Sequence, residues 1–581
     1  MKDGYYRSHG LPVHRRARFF VPATVIYSSR APPINSARNT MPLSKQDKDY
    51  LLPLITTIDP KQVDMDRVFI NLLPLLKYEG FPVTRGRSEL VTIENLASAV
   101  CRNDALHFSG FLNREQVVFK WIESDFLSLV HRGKLGKQQI AAPLPMHLNA
   151  YRLRNAKYCK DYGVASQIFA LLYCGSQPVF QNLRDYLWRG TDYQTDQYDN
   201  RADLDIETLL MLRVLDQEKR DYKDSRRPVD VPVPLCSGQA RILADDIDRL
   251  LAYQNDVPRL VLIGYIKNVM ALNVGVYLLK LFQIVPDLVK RGGPHPACQN
   301  CPAHTATKGN MTDCPFAAEI ITDMGQDHKS QIASLARHQF ETHTEQLNLY
   351  VRAHLLVKKL QEFGNDLFLQ KRIDKKPESL EQILSLRTYS DVMELKTFFM
   401  GRIRNLMDTE DDATSERLLA IRNLGLNEID TYIEMLHLLR QSFHQKYYTG
   451  LLDSLFQKNR ENGLMRQGFG KTNKRRYSMG SGLLETLVQI AVLDKSPTDG
   501  TRTRHLRVDS FIGWLWERYG IHINRLPEGQ EPTIIDLEAL RLNVQSFKGR
   551  LRDIGFYTDL SDAYTAQVIR PRYNLESRNV Q

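Results

Sequence analysis

Residues Asn268-Val-Met-Ala-Leu-Asn-Val-Gly-Val-Tyr-Leu-Leu279 are the longest uncharged stretch in an apolar segment that runs from Val257 to Val289. The charges of Arg259, Lys267 and Lys280 interrupt that segment. A membrane-spanning helix needs roughly 20 consecutive apolar residues, and the uncharged stretch is shorter. Its length is that of a helix buried in a protein core. The stretch therefore predicts a helical core and no membrane span.

Composition agrees with a soluble globular protein. The chain has 581 residues, of which 43% are hydrophobic and 25% charged, so it is long enough for several large cores. Four of the seven cysteines are scattered, which argues against a secreted disulfide scaffold and favours a reducing cytoplasm. The first residues lack the apolar run of a signal peptide. These features predict a cytoplasmic protein.

The other three cysteines form a cluster with metal-ligand spacing. Cys298 and Cys301 are a Cys-x2-Cys pair, and Cys314 can close a loop back onto them. Zinc needs four ligands in a tetrahedron, and His295, His304 or a distant residue would supply the fourth. A site closed by four protein ligands is structural, so we expect structural Zn²⁺.

Two alternatives to zinc remain at this cluster. An iron–sulfur cluster is one, because Cys301 and Cys314 each precede proline and Cys236 can add a fourth thiolate. A loop with reduced, unliganded cysteines is the other.

Positive charge is concentrated in two segments. Residues 1–40 carry seven basic residues and one acidic residue, and residues 458–476 carry the same numbers. The net positive charge of these two segments together exceeds the net charge of +11 of the whole chain. A neutral body with basic segments suits polyanion binding, and Lys471, Lys474, Arg475 and Arg476 are the expected phosphate contacts. Improved solubility alone is the alternative. Met41 is also an alternative start, which would leave residues 1–40 without a role.

The C-terminal residues predict a winged-helix-like module. One helix has an apolar face ending at Gly520, and a second runs from about Ile535 to Ile554. The predicted buried stripe of the second helix is Leu537, Leu540, Val544, Phe547, Leu551 and Ile554. A β-hairpin with a turn near Ser561-Asp562 would follow as the wing.

The second helix also carries a polar stripe of the residue types that contact DNA. Its members are Arg541, Gln545, Lys548 and Arg552, and Arg570 and Arg572 lie on or beyond the expected wing. Charge normally lies outside on amphipathic helices, so protein docking and plain structural packing remain alternatives.

Catalytic patterns are weak. Asp374 with Glu394-Leu-Lys396 has the residue types of a metal-dependent nuclease, but the surroundings have helical periodicity, whereas that chemistry uses a strand. Gly470-Lys471-Thr472 lacks the earlier glycine of a phosphate-binding loop. We therefore expect a non-catalytic protein and keep the nuclease as an alternative.

The patterns combine into a mainly α, multidomain protein with a zinc-knuckle-like insertion. The predicted units are a disordered basic tail (1–40), a helical domain (41–234), a helical domain with the metal knuckle (235–374), a helical domain with the basic loop 458–482 (375–495) and the winged-helix-like module (496–581).

The stretches Arg518-Tyr-Gly-Ile521 and Leu551-Arg-Asp-Ile-Gly-Phe-Tyr-Thr-Asp-Leu-Ser-Asp-Ala-Tyr564 resemble the end of accessory proteins of bacterial multi-gene phage-defence systems. The similar systems are the methylation-associated and the phosphorothioate-dependent restriction types. The resemblance implies a cytoplasmic subunit that works with ATPase, methyltransferase or nuclease partners. The expected function is a DNA-associated, non-catalytic subunit, with a nuclease or a pure protein scaffold as alternatives.

Overall fold

The uncharged stretch lies inside a 33-residue helix, Arg259–Arg291, in the computed structural model of the protein. By length and composition this helix is apolar enough to cross a membrane, but 89% of its most apolar window is buried inside the protein. Pro258 precedes its first residue and marks the break from the helix before it. The burial identifies Arg259–Arg291 as a core helix.

The structure describes most of the chain. The described residues are 43–81, 92–102, 109–132, 138–192, 195, 197–199, 202–216, 231–299, 301, 313–408, 412–468, 473–496, 500–557 and 568–575. The basic tail 1–40, His304, Lys471 and the turn at Ser561-Asp562 lie outside them.

Helices dominate, with 62% helix and 6% strand, which confirms the mainly α prediction. The helices are α1 Lys45–Lys48, α2 Met65–Lys77, α3 Ile93–Arg102, α4 Glu115–Trp121, α5 Val164–Gly175, α6 Gln177–Trp188, α7 Ile206–Asp216, α8 Ser237–Leu251, α9 Arg259–Arg291, α10 Pro296–Gln299, α11 Gln331–Leu369, α12 Leu380–Ser385, α13 Val392–Met407, α14 Asp412–Arg422, α15 Glu428–Leu455, α16 Ser481–Ala491, α17 Val508–Tyr519 and α18 Ile534–Asp553.

The strands are short. They are β1 Leu127–Arg132, β2 Gln138–Pro143, β3 Ile320–Ile321, β4 Met465–Arg466, β5 Arg476–Tyr477, β6 Leu493–Ser496, β7 Gly500–Thr503, β8 Leu506–Arg507, β9 Ile521–His522 and β10 Val568–Ile569. Four antiparallel pairs are β1–β2, β4–β5, β6–β7 and β8–β10, and β3 pairs with β9 in parallel.

Helix α9 is the centre of the packing. It contacts α8 on one side, α11 and α15 on another, and α16 towards the C-terminal part of the chain. One continuous cluster of buried apolar residues extends from Tyr50 to Leu575. It crosses every predicted unit boundary within the described residues. Whether the five units fold separately stays a prediction.

Two helices predicted by apolar spacing are wrong at their ends. Val117, Val118, Trp121 and later apolar residues predict a helix over Asn113–Val130, but it ends at Trp121, and the chain passes through a π-turn at Ile122–Phe126 into β1. Val117 is 66% exposed. The sequence also predicts a helix from about Cys314 to Phe363, which instead begins at Gln331, capped by the Ser330 side chain, and extends to Leu369. Strand β3 occupies part of the preceding segment.

In the C-terminal module, the two predicted helices are present as α17 and α18. Strand β10 follows them and pairs with β8, which directly precedes α17. Strand β9, between the helices, pairs with β3 of the middle of the chain and anchors the module there. Residues 558–567, where the wing was expected, are outside the described part of the structure, so the winged helix stays a prediction.

Candidate functional site

The basic loop is fixed to the core by Arg476. This residue is 6% exposed, and its Nε donates to Oδ2 of the buried Asp323 at 2.8 Å. The adjacent backbone strengthens the contact, because the Asp323 amide donates to the Tyr477 carbonyl at 3.0 Å. Arg476 was predicted to contact phosphate. Its side chain is instead an internal anchor, because a buried guanidinium held by a buried carboxylate does not reach a ligand on the surface.

A second carboxylate holds the start and the end of the loop together. Asp453, near the end of α15, accepts from Lys458 at 2.6 Å and from two nitrogens of Arg475 at 2.7 and 2.9 Å. The bidentate geometry is the stronger form of an arginine–carboxylate contact. Arg475 is therefore partly neutralised where it lies, and its first role is to shape the loop.

The outer cations of the loop form weaker pairs. Lys474 contacts Glu341 of α11 at 2.6 Å, with 68% and 45% of the two side chains exposed. Arg460 and Arg466 make longer pairs with Asp64 and Glu461, at 3.8 and 3.5 Å. Exposed pairs of this kind contribute about 0–1 kcal/mol, so a phosphate group can take the place of the carboxylate.

An open surface pocket lies beside Lys474. It has a volume of about 530 Å³ and is lined by Ser334, Leu335, Arg337, His338 and Glu341 of α11 together with Lys474. Lys474 and Arg337 supply cations from two different elements. The loop and the start of α11 therefore line one open pocket.

The sequence count overstated the net charge of the loop. Counting residues 458–476 alone leaves out the carboxylates of Asp453, Asp323 and Glu341, which come from other segments and pair with its cations. The surface of the loop is therefore less basic than the count suggests, and several of its cations have defined carboxylate partners.

Helix α18 presents the predicted polar stripe to solvent. Arg541, Gln545 and Arg552 are exposed and Lys548 is half-buried. Arg541 also binds Glu538, three residues earlier on the helix, through two contacts of 2.9 and 2.7 Å. Both members of that pair are more than half exposed. The stripe is accessible, and the Arg541 pair is of the weak, exchangeable kind.

Part of the predicted buried stripe of α18 is wrong. Leu537 is 55% exposed, and the buried positions of the first half are Asp536, Ala539 and Leu540. Asn543 takes the next buried position, because its side chain makes hydrogen bonds to Thr322, Ile523 and Met324. These polar contacts rotate the helix relative to the purely apolar pattern.

Arg550 connects α18 to the basic loop. It donates to the Met479 carbonyl and, at 3.4 Å, to the Gly325 carbonyl. Burial lowers the pKa of Arg550 and the nearby Arg466 lowers it further, whereas Asp323 and Glu461 offset part of that effect. The sequence patterns did not single out Arg550. Its spacing of seven and three residues from the buried Asn543 and Phe547 is the signal that places its side chain on the inward face of the helix.

The two arginines beyond the expected wing differ. Arg572 binds Glu485 and donates to the Ile554 carbonyl at 2.9 Å, and its guanidinium lies 4.8 Å from the centre of the Phe556 ring. Arg570 is exposed, while its backbone amide donates to the Phe556 carbonyl at 3.0 Å. Arg572 is also exposed, but its guanidinium is engaged in these contacts.

The cysteine segment turns tightly after α9. The Cys298 amide donates to the His295 carbonyl at 2.9 Å, and the His295 Nδ1 accepts from the Ala297 amide at 3.1 Å. The His295 ring packs edge-on against Phe316 at 5.3 Å. Cys301 is buried, with 6% exposure.

Burial, with smaller contributions from the thiols of Cys236, Cys314 and Cys301, raises the pKa of Cys298 to about 11. The four cysteines therefore lie in one region of the fold. In the ranges that the structure describes, no three Cys, His, Asp or Glu side chains already converge in a metal-holding group.

The alternative nuclease residues are engaged elsewhere. Glu394 lies on α13 and pairs with Arg372 at 3.6 Å, and Lys396 pairs with Glu428 at 3.7 Å. These two partners lie outside the suspected triad. The helix agrees with the periodicity that argued against a strand-based nuclease site.

Fold and site together define a mainly helical protein with exposed cations of the basic loop and of α18 on its surface. The family described as "Methylation-associated defense system protein MAD7" matches residues 45–573, and the chain belongs to this family. The match confirms the resemblance to phage-defence proteins and selects the methylation-associated type. No curated protein matches the chain, and neither does any solved structure.

Proposed function

We propose that this protein is a non-catalytic, DNA-associated subunit of a bacterial methylation-associated defence complex. Its partners would be the ATPase, methyltransferase or nuclease subunits that carry the chemistry. Family membership supports the defence role. The DNA contact is supported by the arrangement of the basic loop and α18.

One observation carries the proposal. The loop and the helix, which lie far apart in sequence, are neighbours in the structure, because Arg550 of α18 donates to the Met479 carbonyl at the end of the basic loop. The exposed side chains of Lys474 and Arg541 therefore belong to adjoining elements. A face with cations from two elements can contact phosphates at more than one point along a duplex.

The chemistry expected of this face is phosphate contact with limited base reading. Gln545 is the exposed residue of the stripe with the donor and acceptor needed to read a base edge. Each phosphate neutralised by a cation releases counterions, so affinity should fall as salt rises. The slope of log affinity against log salt is about −0.9 per phosphate contact on duplex DNA.

The test is a titration of the full chain with a fluorescent DNA duplex at two salt concentrations. The variant is Lys474→Ala combined with Arg541→Ala, which should weaken binding and reduce the salt slope by about 2. The matched control is Arg404→Ala, because Arg404 is also an exposed arginine in a helical ion pair, with 84% of its side chain exposed. Absence of salt-sensitive binding, or an equal effect of the control, would contradict the proposal.

A protein scaffold is the second candidate, and one observation favours it. The first half of α18 exposes four large apolar residues, Ile534, Ile535, Leu537 and Leu542, at 85%, 67%, 55% and 47%. Exposed apolar groups of this kind occur at protein–protein contacts. If the protein is a scaffold, we expect no DNA binding by the wild type and no effect of the Lys474 and Arg541 substitutions. The same titration therefore distinguishes the two candidates.

A further inference from the structure

Two cysteine-bearing segments contact neighbouring turns of α9. The Leu235 amide donates to the Tyr277 hydroxyl at 3.3 Å, which places Cys236 beside Tyr277. Gln283 donates to the Ala317 carbonyl at 3.2 Å, three residues after Cys314. Tyr277 and Gln283 are separated by less than two turns, or about 9 Å along the helix. The segments of Cys236 and Cys314 are thus held against neighbouring turns of the same helix.

The other two cysteines arrive from the end of that helix. The chain leaves α9 at Gly292, whose left-handed backbone reverses its direction, and α10 then carries Cys298. Cys301 is buried, and the Cys298 thiol interacts electrostatically with those of Cys236, Cys301 and Cys314. Three separate segments therefore bring four thiols to one region beside α9.

A buried cation stands at the same place. Lys280 is 2% exposed and lies one turn from both Tyr277 and Gln283 on α9. Within the described ranges it has no carboxylate in an ion pair and no hydrogen-bond acceptor, and its charge acts on Cys314. A negatively charged partner would stabilise an ammonium group buried at this position.

We propose that Cys236, Cys298, Cys301 and Cys314 bind one metal centre as four thiolates, with the Lys280 ammonium as its buried counter-charge. A Zn²⁺ ion or an iron–sulfur cluster bound by four thiolates carries a net negative charge. That charge would balance the buried ammonium group of Lys280. The thiols lose their protons when the metal binds and turn toward one another.

In this proposal Cys236 is the fourth metal ligand, for which the sequence allowed His295, His304 or a distant residue. His295 is a weaker ligand, because its Nδ1 already accepts from the Ala297 amide and its ring packs on Phe316. With four protein ligands the centre has no open position, so its role is to clamp three segments onto α9.

The test is metal and sulfide analysis of the full chain purified without oxygen. About one equivalent of zinc, or iron with matching labile sulfide and visible absorption, supports the centre and says which metal it holds. Less than about a tenth of an equivalent of either metal overturns it. Where zinc is found, replacement by Co²⁺ should give the intense thiolate-to-cobalt absorption of a four-thiolate site, and this readout needs no variant.

The ligand set is tested by Cys236→Ser, with Cys174→Ser as the matched control because Cys174 is a free, exposed cysteine. After a chelator challenge, Cys236→Ser should retain about tenfold less metal than wild type, and Cys174→Ser and His295→Ala should retain all of it. Lys280→Met should speed metal loss while the fold stays intact by circular dichroism. Full retention in Cys236→Ser with loss in His295→Ala would overturn the assignment of Cys236.

Discussion

The guanidinium of Arg518 binds the carboxylate of Asp246, although the two residues are 272 positions apart in the sequence. Two nitrogens of Arg518 contact Asp246 Oδ1 at 2.8 and 2.5 Å, and one of them reaches Asp245 at 2.6 Å. Tyr519 and Asn273 donate to the other oxygen of Asp246 at 2.9 and 3.0 Å. This buried network joins α17 of the C-terminal module to α8 and α9.

Arg518 keeps its positive charge within this network. Burial alone lowers the pKa of Arg518, but Asp246, Tyr519 and Asp245 raise it above the ordinary value of an arginine. Arg518 is therefore charged at every pH at which the protein is folded. Burial raises the pKa of Asp246, so the ion pair between the module and the core depends on that carboxylate remaining ionised.

Replacing Arg518 should destabilise the whole protein. Arg518→Met leaves Asp246 buried without its cation, and breaking such a pair from one side costs about 3–5 kcal/mol of unfolding free energy. The measurement is urea denaturation followed by circular dichroism. The double variant Arg518→Met with Asp246→Leu should recover much of the loss, because it removes both charges together. A loss below about 1 kcal/mol in the single variant would contradict the role of the pair.

The basic loop offers a second stability prediction that separates anchors from surface cations. Arg476→Ala should destabilise the protein by about 3–5 kcal/mol, since it leaves Asp323, which is fully buried, without its partner. Lys474→Ala, two residues away, should change stability by less than about 1 kcal/mol, because its pair with Glu341 is exposed. Thermal unfolding of both variants checks the difference. Equal midpoints would show that Arg476 is not an anchor.

These contacts show which features the sequence could predict. The helical core around Asn268–Leu279 and the bounds of α18 were predictable, because apolar periodicity and caps are local signals. The role of Arg476 was not, because its partner Asp323 lies 153 positions earlier and only the folded chain brings them together. The exposure of Leu537 was missed for the same reason, since the buried polar contacts of Asn543 decide the rotation of α18.

The candidate sites also combine local features, which the sequence shows, with long-range contacts, which it does not. The spacing of Cys298 and Cys301 is local and was visible, whereas the proximity of Cys236 depends on Tyr277 holding the Leu235 backbone against α9. The stripe of Arg541 and Gln545 was visible from helical spacing. Its position next to the basic loop was not, because it depends on Arg550 and the Met479 carbonyl.

Helix α9 contains two glycines that should respond in opposite ways to alanine. A Cβ at Gly275 would lie 2.5 Å from the Phe456 ring, whereas a Cβ at Gly264 would meet nothing within 4 Å. Gly275→Ala should therefore destabilise by about 1–3 kcal/mol through overpacking. Gly264→Ala should stabilise by about 0.5–1 kcal/mol, because alanine restricts the unfolded chain and favours helix.

Urea midpoints of these two variants test the packing of α9 directly. The pair is matched, since the substitution and the helix are the same and only the surroundings differ. Stabilisation by both alanines would mean that α9 and Phe456 do not touch as closely as described.

Acid should destabilise the protein through its buried histidines, and His444 provides the clearest case. Burial, together with the nearby Arg440, His354 and His437, lowers the pKa of His444 to about 3. Below the usual histidine pKa of about 6.5, the unfolded chain takes up a proton that the folded chain refuses, so stability falls as the pH falls. Between pH 6.5 and pH 5 this one residue should account for about 2 kcal/mol.

The variant His444→Phe should make the loss of stability with acid shallower. Neither ring nitrogen of His444 has a hydrogen-bond partner in the structure, and the ring packs 4.4 Å from that of Tyr50, so phenylalanine suits the site. Urea midpoints at pH 7 and pH 5 provide the measurement. His328→Gln is the control, because His328 is exposed, and it should keep the wild-type pH dependence. An unchanged pH dependence in His444→Phe would show that His444 takes up its proton in the folded protein as readily as in the unfolded chain.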